Sequence, residues 1–239
     1  MWARAGIVTS TALVLALTMS NMPVFAQATQ PATSNATGQQ TWGAGTTTSK
    51  DPQVAGVALD EKQVAALRSV SKFFNDLKQL KGTFAQTNPD GKRLRGKFSL
   101  KQPGKFRFDY GFGSKLLVLS DGRNLAVQDL DINTESRYQV DDTPFRILLR
   151  KDVDLMRDAR IYEVQEVDDL VIVSVGDKSP DVPGRIRLFL TKKPVLELKE
   201  WVTTDPQGTE TRVEIFEHVR TEDIDDATYK IQAVGLPKQ

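Results

Sequence analysis

The sequence predicts a mainly β domain of about 10–12 antiparallel strands with two helices, in which a single sheet curls into a barrel or half-barrel. Apolar and charged residues alternate with a period of two through much of residues 82–220, which is typical of strands with one dry and one wet face. Turn-forming pairs such as Asp121-Gly122 separate these runs. Because twist accumulates in a sheet of this width, we expect it to curl, and a fully packed β-sandwich is the alternative.

The N-terminal residues are predicted to be a targeting segment. Arg4 precedes an apolar run at residues 6–19, which is too short for a comfortable membrane span. Small residues follow this run, so we expect residues 1–26 to be a signal peptide that is cleaved after Ala26, or alternatively after Ala28. The mature protein is therefore expected to be exported.

A low-complexity segment leads into the first predicted helix. Residues 27–56 are rich in Thr, Ala, Gly, Gln and Ser, which is typical of a flexible linker, so the folded domain is expected at residues 57–239. Asp60 and Gln63 form a capping-box pattern at the start of a helix predicted at residues 61–81. Apolar residues recur in it at spacings of three and four, and they are Val64, Leu67, Val70, Phe74, Leu77 and Leu80.

The stretch at residues 82–110 shows the sheet pattern most clearly. It predicts three strands joined by turns at residues 88–91 and 102–104, where Pro and Gly occur. One face carries the apolar residues Leu94, Phe98, Leu100, Phe106, Phe108 and Tyr110. The other face carries mainly Lys and Arg, which are either solvated or form a docking surface for an acidic partner or anionic lipid headgroups.

A hairpin, another strand and a second helix are predicted next. The hairpin pairs residues 115–120 with residues 124–130, and the following strand lies at residues 132–140. Thr143 and Pro144 match the N-cap and the first position of a short helix. The apolar residues of this helix are Phe145, Ile147, Leu148 and Leu149. A helix of this kind in a β-rich chain either fills a barrel or covers its mouth.

Five longer strands and a tail complete the predicted domain. The strands occupy residues 160–167, 170–175, 184–191, 195–204 and 210–220. In the third of these, Leu188 lies on the apolar face of the alternating pattern. We expect a last short strand around Tyr229.

The sequence contains no recognisable catalytic or metal-binding motif. It has no cysteine and one histidine, which excludes disulfides, thiolate zinc sites and histidine metal clusters. Neither a nucleophile-elbow motif nor a phosphate-binding glycine loop occurs. The formal net charge of +1 argues against a general nucleic-acid binder. We therefore expect a binding protein that has no cofactor and is not an enzyme.

Several segments together resemble the periplasmic outer-membrane lipoprotein carrier proteins of the LolA family. They occur in the order found in that family, and they are residues 84–86 (FAQ), 96–110 (GKFSLKQPGKFRFDY), 117–122 (LVLSDG), 143–149 (TPFRILL) and 226–229 (DATY). The resemblance implies an unclosed β-barrel of about 11 strands, covered by a helical lid over a hydrophobic cavity.

The resemblance also implies a function in the periplasm. The chain is expected to be a monomer that binds the acyl chains of lipoproteins, receives them from an inner-membrane lipoprotein-releasing ABC transporter and contacts membrane surfaces transiently. Release at the outer membrane would occur with or without a separate receptor. The residues implied to form the acyl-chain cavity and lid are Phe98, Leu100, Phe106, Phe108, Tyr110, Leu117, Leu119, Phe145, Ile147, Leu148, Leu149 and Leu188.

The sequence departs from the family at one position. The family often has Arg immediately before the Pro of the second turn, where it is tied to lid closure, and here that residue is Gln102. An amide still donates hydrogen bonds but carries no charge, so either Gln102 is a weaker latch or Lys101, Lys105 or Arg107 takes its role. A carrier or sensor of another amphiphile, and an adaptor that pairs through a sheet edge, are the alternative functions.

Overall fold

The computed structural model describes residues 59–111 and 113–234 of the chain. The predicted signal peptide, the predicted linker and both predicted ends of the domain lie outside the described residues. In the described part of the chain, no helix combines the length and apolarity that crossing a membrane requires.

The body of the protein is one antiparallel sheet of eleven strands. The strands are β1 (Gln79–Thr87), β2 (Arg93–Lys101), β3 (Lys105–Tyr110), β4 (Leu116–Asp121), β5 (Asn124–Asp129), β6 (Thr134–Gln139), β7 (Ala159–Val167), β8 (Leu170–Asp177), β9 (Arg185–Thr191), β10 (Glu197–Thr204) and β11 (Glu210–Arg220). Their spatial order is β6-β5-β4-β3-β2-β1-β11-β10-β9-β8-β7, so β6 and β7 are its two edges. The predicted single, unclosed antiparallel sheet is confirmed, and the β-sandwich alternative is excluded. All strands after β1 begin and end within two residues of their predicted positions.

The sheet is strongly curved. Three strands separate β3 from β10, so a flat sheet would place these two strands about 19 Å apart. The ring centroids of Phe108 on β3 and Trp201 on β10 are nevertheless only 6.1 Å apart. Side chains from the two halves of the sheet therefore meet across one face, which we call the concave face; the opposite face is the convex face.

The first helix, α1, is shorter than predicted. It spans Glu61–Asp76 and begins with the predicted capping box, in which Asp60 and Gln63 each accept a hydrogen bond from the other's backbone N–H. Leu77 is already extended, and the chain enters β1 two residues later, so the predicted longer helix is wrong. Because Leu77 and Leu80 are buried in either conformation, their spacing could not distinguish a last helical turn from the start of a strand.

Two four-residue helices follow β6 where one helix was predicted. They are α2 (Arg146–Leu149) and α3 (Leu155–Asp158). The predicted N-cap role of Thr143 is wrong, because its hydroxyl donates to the Val140 carbonyl at 2.8 Å and closes a preceding 3₁₀ helix. Asp154 caps α3 instead, since its carboxylate accepts from two backbone N–H groups of that helix.

The C-terminal tail packs on the convex face and does not add a strand. The residues predicted as a last strand form a 3₁₀ helix, Asp226–Tyr229, whose Tyr229 is buried, so that prediction is wrong. Backbone hydrogen bonds are made within this turn and are not available to a sheet ladder. Asp226 pairs with Lys101 at 2.7 Å and with Lys105 at 3.2 Å, and these hydrogen bonds hold the pKa of the Asp226 carboxyl below its usual range.

Gly96 on β2 lies where no side chain fits. A Cβ atom at this position would be 2.0 Å from the Asp109 carbonyl oxygen and 2.7 Å from the Phe84 ring. We expect Gly96→Ala to lower the free energy of unfolding by about 3 kcal/mol, measured by urea denaturation, because the backbone of β3 must shift. Gly111→Ala is the control, since a Cβ there would meet nothing within 4 Å. Equal stability of the two variants would contradict this assignment.

Candidate functional site

Aromatic side chains from four strands form a cluster on the concave face. Phe108 is at its centre, with ring centroids 5.0 Å from Phe84, 5.7 Å from Phe98, 6.0 Å from Phe106 and 6.1 Å from Trp201. Most of these pairs meet edge to face, which is a favoured arrangement of aromatic rings. Phe108 is only half-buried, so this cluster presents ring surface to the space beneath the helices.

That space is an apolar cavity of about 90 Å³. The predicted site residues that line it are Leu100, Phe106, Phe108, Tyr110, Phe145, Leu148, Leu149 and Leu188. The lining residues that were not predicted are Phe74, Gln86, Val118, Ile186, Leu198, Trp201 and Val213. Several of these residues lie on the same face as Leu188 in the alternating patterns of β9, β10 and β11, and those patterns could have identified them as cavity residues. No sequence pattern identifies Gln86 as a cavity residue.

Four predicted cavity residues do not line it. Phe98 and Ile147 are buried in the core beside the cavity. Leu117 and Leu119 lie on the convex face, where they pack with Ile231 of the tail, so their prediction as cavity residues is wrong. Because β4 carries apolar residues on both faces, its sequence shows no alternation that would distinguish the concave face from the convex face. Val118, which pairs with Phe108 on β3, is the β4 residue that faces the cavity.

One polar chain reaches this otherwise apolar wall. The Tyr110 hydroxyl donates to Gln86 Oε1 at 2.6 Å, and Gln86 Nε2 donates to Asn88 Oδ1 at 2.7 Å. Burial raises the pKa of the Tyr110 hydroxyl far above its usual range, so it stays protonated and is fixed as a donor. The three side chains satisfy one another, which lets a polar group lie at an apolar surface.

The helices α1, α2 and α3 cover the concave face, and we call them the lid. Gln102, in the turn after β2, reaches the lid directly: its Nε2 donates to the Leu148 carbonyl of α2 at 3.0 Å. Its Oε1 accepts from the Gly104 N–H at 3.2 Å, which orients the amide. This geometry is compatible with the predicted latch, although the latch role itself stays a prediction.

A second contact fixes α2 to the sheet. Arg146 donates to both carboxylate oxygens of Asp177, at 2.5 and 2.7 Å, and the Asp177 side chain is only 5% exposed. Burial opposes ionisation of Asp177, but hydrogen bonds from Arg146 and from the Ser179 N–H outweigh it and lower the pKa of Asp177. The last residue of β8 therefore holds α2 through a bidentate charged pair.

The third helix is held by α1. Asn75 donates to the Val153 carbonyl at 2.9 Å and accepts from the Val153 N–H at 2.8 Å. Ser71 accepts from the Leu155 N–H at 3.1 Å. Side chains of α1 thus satisfy backbone groups at the start of α3, and the two helices are connected as one part of the lid.

The alternative latch residues have other partners. Lys101 and Lys105 both pair with Asp226, and Arg107 pairs with Asp109 at 2.7 Å and donates to the Thr228 carbonyl at 3.3 Å. All three cations lie on the convex face and hold the tail, so the expectation that one of them replaces Gln102 at the lid is wrong.

Half of the residues that line a wider groove on the convex face are charged. Several of these are paired, as Lys199 is with Glu197 at 2.7 Å. Arg95 and Lys97 of this groove are exposed and have no ion partner among the described residues, so they are compatible with a docking surface, which stays a prediction. The apolar cavity beneath the helices is the stronger candidate site, because ligands generally bind in concave, mostly apolar pockets.

Comparison with known proteins relates this chain to one family. The family model for the outer membrane lipoprotein carrier protein LolA matches residues 75–232. The outer-membrane lipoprotein carrier protein of Chromobacterium violaceum is 26% identical over 159 residues, which cover 63% of this chain and 75% of the relative. The protein of the same name from Neisseria gonorrhoeae is 28% identical over 79 residues, which cover 32% of this chain and 38% of the relative.

Two solved structures are similar at a low level. A LolA superfamily protein from Nitrosomonas europaea is 10% identical and has a TM-score of 0.39, covering 69% of this chain and 97% of its own. A conserved protein from Thermus thermophilus is 14% identical and has a TM-score of 0.44, covering 72% of this chain and 94% of its own. Both TM-scores are below 0.5, so these structures add nothing to the family match.

Removing the amide of Gln102 should loosen α2. In Gln102→Leu the Leu148 carbonyl loses its donor, and we expect amide hydrogen exchange in residues 145–150 to accelerate about fivefold, as the loss of one hydrogen bond implies. Gln102→Arg keeps a donor and should retain protection. Gln165→Leu, at an exposed position on β7, is the control. Unchanged exchange in Gln102→Leu would rule out a hold on the lid.

The Arg146–Asp177 pair should make stability depend on pH. Because the folded-state pKa of Asp177 is lowered, the pair stabilises the fold above the unfolded-state pKa of an Asp, about 3.9, and this contribution disappears as pH falls through the lower folded-state value. We expect Asp177→Asn to lower the free energy of unfolding by about 3 kcal/mol at pH 7, with a smaller deficit near pH 3, in thermal melts. The exposed neighbour Asp142 provides the control Asp142→Asn, and a deficit independent of pH would contradict the assignment.

Proposed function

Because this chain belongs to the LolA family of outer membrane lipoprotein carrier proteins, we propose that it carries lipoproteins through the periplasm by enclosing their acyl chains in the cavity beneath the lid. Cargo would be received from an inner-membrane lipoprotein-releasing ABC transporter and released at the outer membrane, with or without a separate receptor. The proposal assigns no catalytic step to the protein.

The apolar cavity is the observation that supports this proposal most strongly. Its walls are formed by Phe, Leu, Ile, Val and Trp side chains, with Gln86 and the hydroxyl of Tyr110 as polar exceptions. Each methylene of an acyl chain that leaves water for such a surface gains about 0.8 kcal/mol. A water-soluble carrier needs a surface of this kind, because lipoprotein acyl chains are otherwise held in a membrane.

Cargo binding would require the lid to move. A cavity of about 90 Å³ is smaller than the cavity of about 150 Å³ that accommodates benzene in a packed protein core. A long acyl chain would therefore enter only if α2 and the side chains beneath it are displaced. The hydrogen bond from Gln102 and the charged pair of Arg146 with Asp177 are the contacts that such a movement would have to break.

The site residues suit reversible binding. Leu100, Phe108, Phe145 and Leu198 line the cavity but are only half-buried, so this part of the wall is not a fully packed core. Displacing such side chains costs less than opening a close-packed interior. A carrier must shield its cargo and still release it, and a partly packed wall under short helices serves both needs.

The test compares two matched charge substitutions. The protein is purified after export and mixed with inner-membrane vesicles that contain the ABC transporter and a radiolabelled lipoprotein. We expect wild-type protein to bring the lipoprotein into the soluble fraction, and Leu100→Glu to reduce that release at least tenfold, because a carboxylate in the apolar cavity opposes acyl-chain burial.

Phe189→Glu is the matched control, because Phe189 is half-buried on the convex face and should tolerate the charge without loss of release. Circular dichroism establishes that both variants are folded. Lack of release by wild-type protein would contradict carriage of lipoproteins, and a bound lipid of another class would favour a carrier or sensor of that amphiphile. Normal release by folded Leu100→Glu would contradict the cavity as the binding site.

A further inference from the structure

Trp201 presents a buried donor that has no acceptor. Its side chain lines the cavity and is 9% exposed, and its Nε1 is buried without a hydrogen-bond partner among the described residues. Buried polar groups in folded proteins are nearly always hydrogen-bonded, and an unpaired one is destabilising. We therefore ask which group could accept a hydrogen bond from this N–H.

The neighbours of Trp201 do not supply the missing acceptor. On the adjacent strands it pairs with Val213 of β11 and Leu188 of β9, both of which are apolar. The ring of Phe108 meets it edge to face and offers only a π surface, which is a weak acceptor. Gln86 Oε1 accepts from the Tyr110 hydroxyl and makes no hydrogen bond to the indole. None of these neighbours therefore provides the acceptor, and Nε1 is itself covered, so a molecule in the cavity would reach it only when the lid and the side chains beneath it move.

The chemistry of the wall limits what that molecule can be. In the described part of the chain no Lys, Arg or His lines the cavity, so a free carboxylate would be buried without a counter-charge. A buried water molecule needs two to four polar partners, and the other polar residues of the wall, Gln86 and Tyr110, already bond to each other. An ester or amide carbonyl is neutral and accepts hydrogen bonds through its oxygen, and it is the polar group at the head of an acyl chain.

We propose that the indole N–H of Trp201 donates a hydrogen bond to the ester or amide carbonyl oxygen of the bound acyl group. This inference rests on the function proposed above, since it requires an acyl ligand in the cavity. It makes Trp201 a specificity-determining residue that distinguishes acyl groups from alkyl chains of equal length.

Two ligands that differ only in the carbonyl test the proposal. 1-Palmitoylglycerol contains the ester carbonyl, and 1-O-hexadecylglycerol has the same chain length and headgroup without it. We expect the wild-type protein to bind the ester about fivefold more tightly in calorimetric titrations, as one hydrogen bond implies. Trp201→Phe should bind both ligands with equal affinity, because it keeps an aromatic ring but lacks the donor.

A spectroscopic readout on the wild-type protein does not depend on the stability of that variant. The chain has three tryptophans, of which Trp2 lies in the predicted signal peptide. The Trp201 indole signal of ¹⁵N-labelled exported protein is assigned by its loss in Trp201→Phe or, if that variant does not fold, by substitution of Trp42. The indole proton should move downfield on addition of the ester and not on addition of the ether. Val213→Ala is the matched control, since it enlarges the adjacent wall without removing a donor and should weaken both ligands equally.

The outcomes separate this inference from the proposed function. Binding of both ligands with equal affinity by the wild-type protein, or an ester preference that persists in Trp201→Phe, would overturn the role of Trp201 and leave an acyl-binding cavity in place. Failure of the wild-type protein to bind either ligand would overturn both. Loss of the ester preference in Trp201→Phe, together with the downfield shift in wild type, would support the proposal.

Discussion

The structure depends on the need to cover the apolar face of an open, curved sheet. Strand alternation places aromatic and aliphatic side chains on one face of eleven strands, and curvature brings Phe108 and Trp201 within 6.1 Å across that face. Since β6 and β7 do not pair with each other, the sheet cannot shield this surface by closing on itself. The three helices of the lid provide the remaining cover.

The lid is attached through a small number of specific polar contacts. Gln102 reaches the backbone of α2, Asp177 holds Arg146, and Asn75 satisfies both backbone groups of Val153. Helices of four residues have little stability of their own, so their position is determined by these contacts and by the apolar side chains they bury. A cover built in this way packs apolar side chains into the core and still leaves a cavity beneath it.

The convex face of the same strands holds the C-terminal tail. In the sequence its lysines and arginines suggest a continuous cationic surface, but Lys101, Lys105 and Arg107 hold the C-terminal tail. The tail in turn covers the apolar patch at Leu117 and Leu119. One strand can therefore be apolar on both faces, because each face has its own cover.

Elements that depend on local chemistry could be predicted from the amino-acid sequence. Period-two alternation and Gly- or Pro-containing turns predicted the strands after β1 to within two residues, the capping box predicted the start of α1, and the ordered segments predicted the carrier family. Eight cavity residues followed from the same alternation, from the apolar face of the second predicted helix and from the family resemblance.

Features that depend on contacts between distant segments could not be predicted in the same way. The end of α1 is set by the pairing of β1 with β2 and β11, and the inward face of β4 is set by the tail that covers its other side. The places of Gln86 and Trp201 in the cavity follow from the curvature of the sheet. These features could not be predicted because an apolar or amide side chain has the same local preferences in several environments, and only the packed neighbours select one of them.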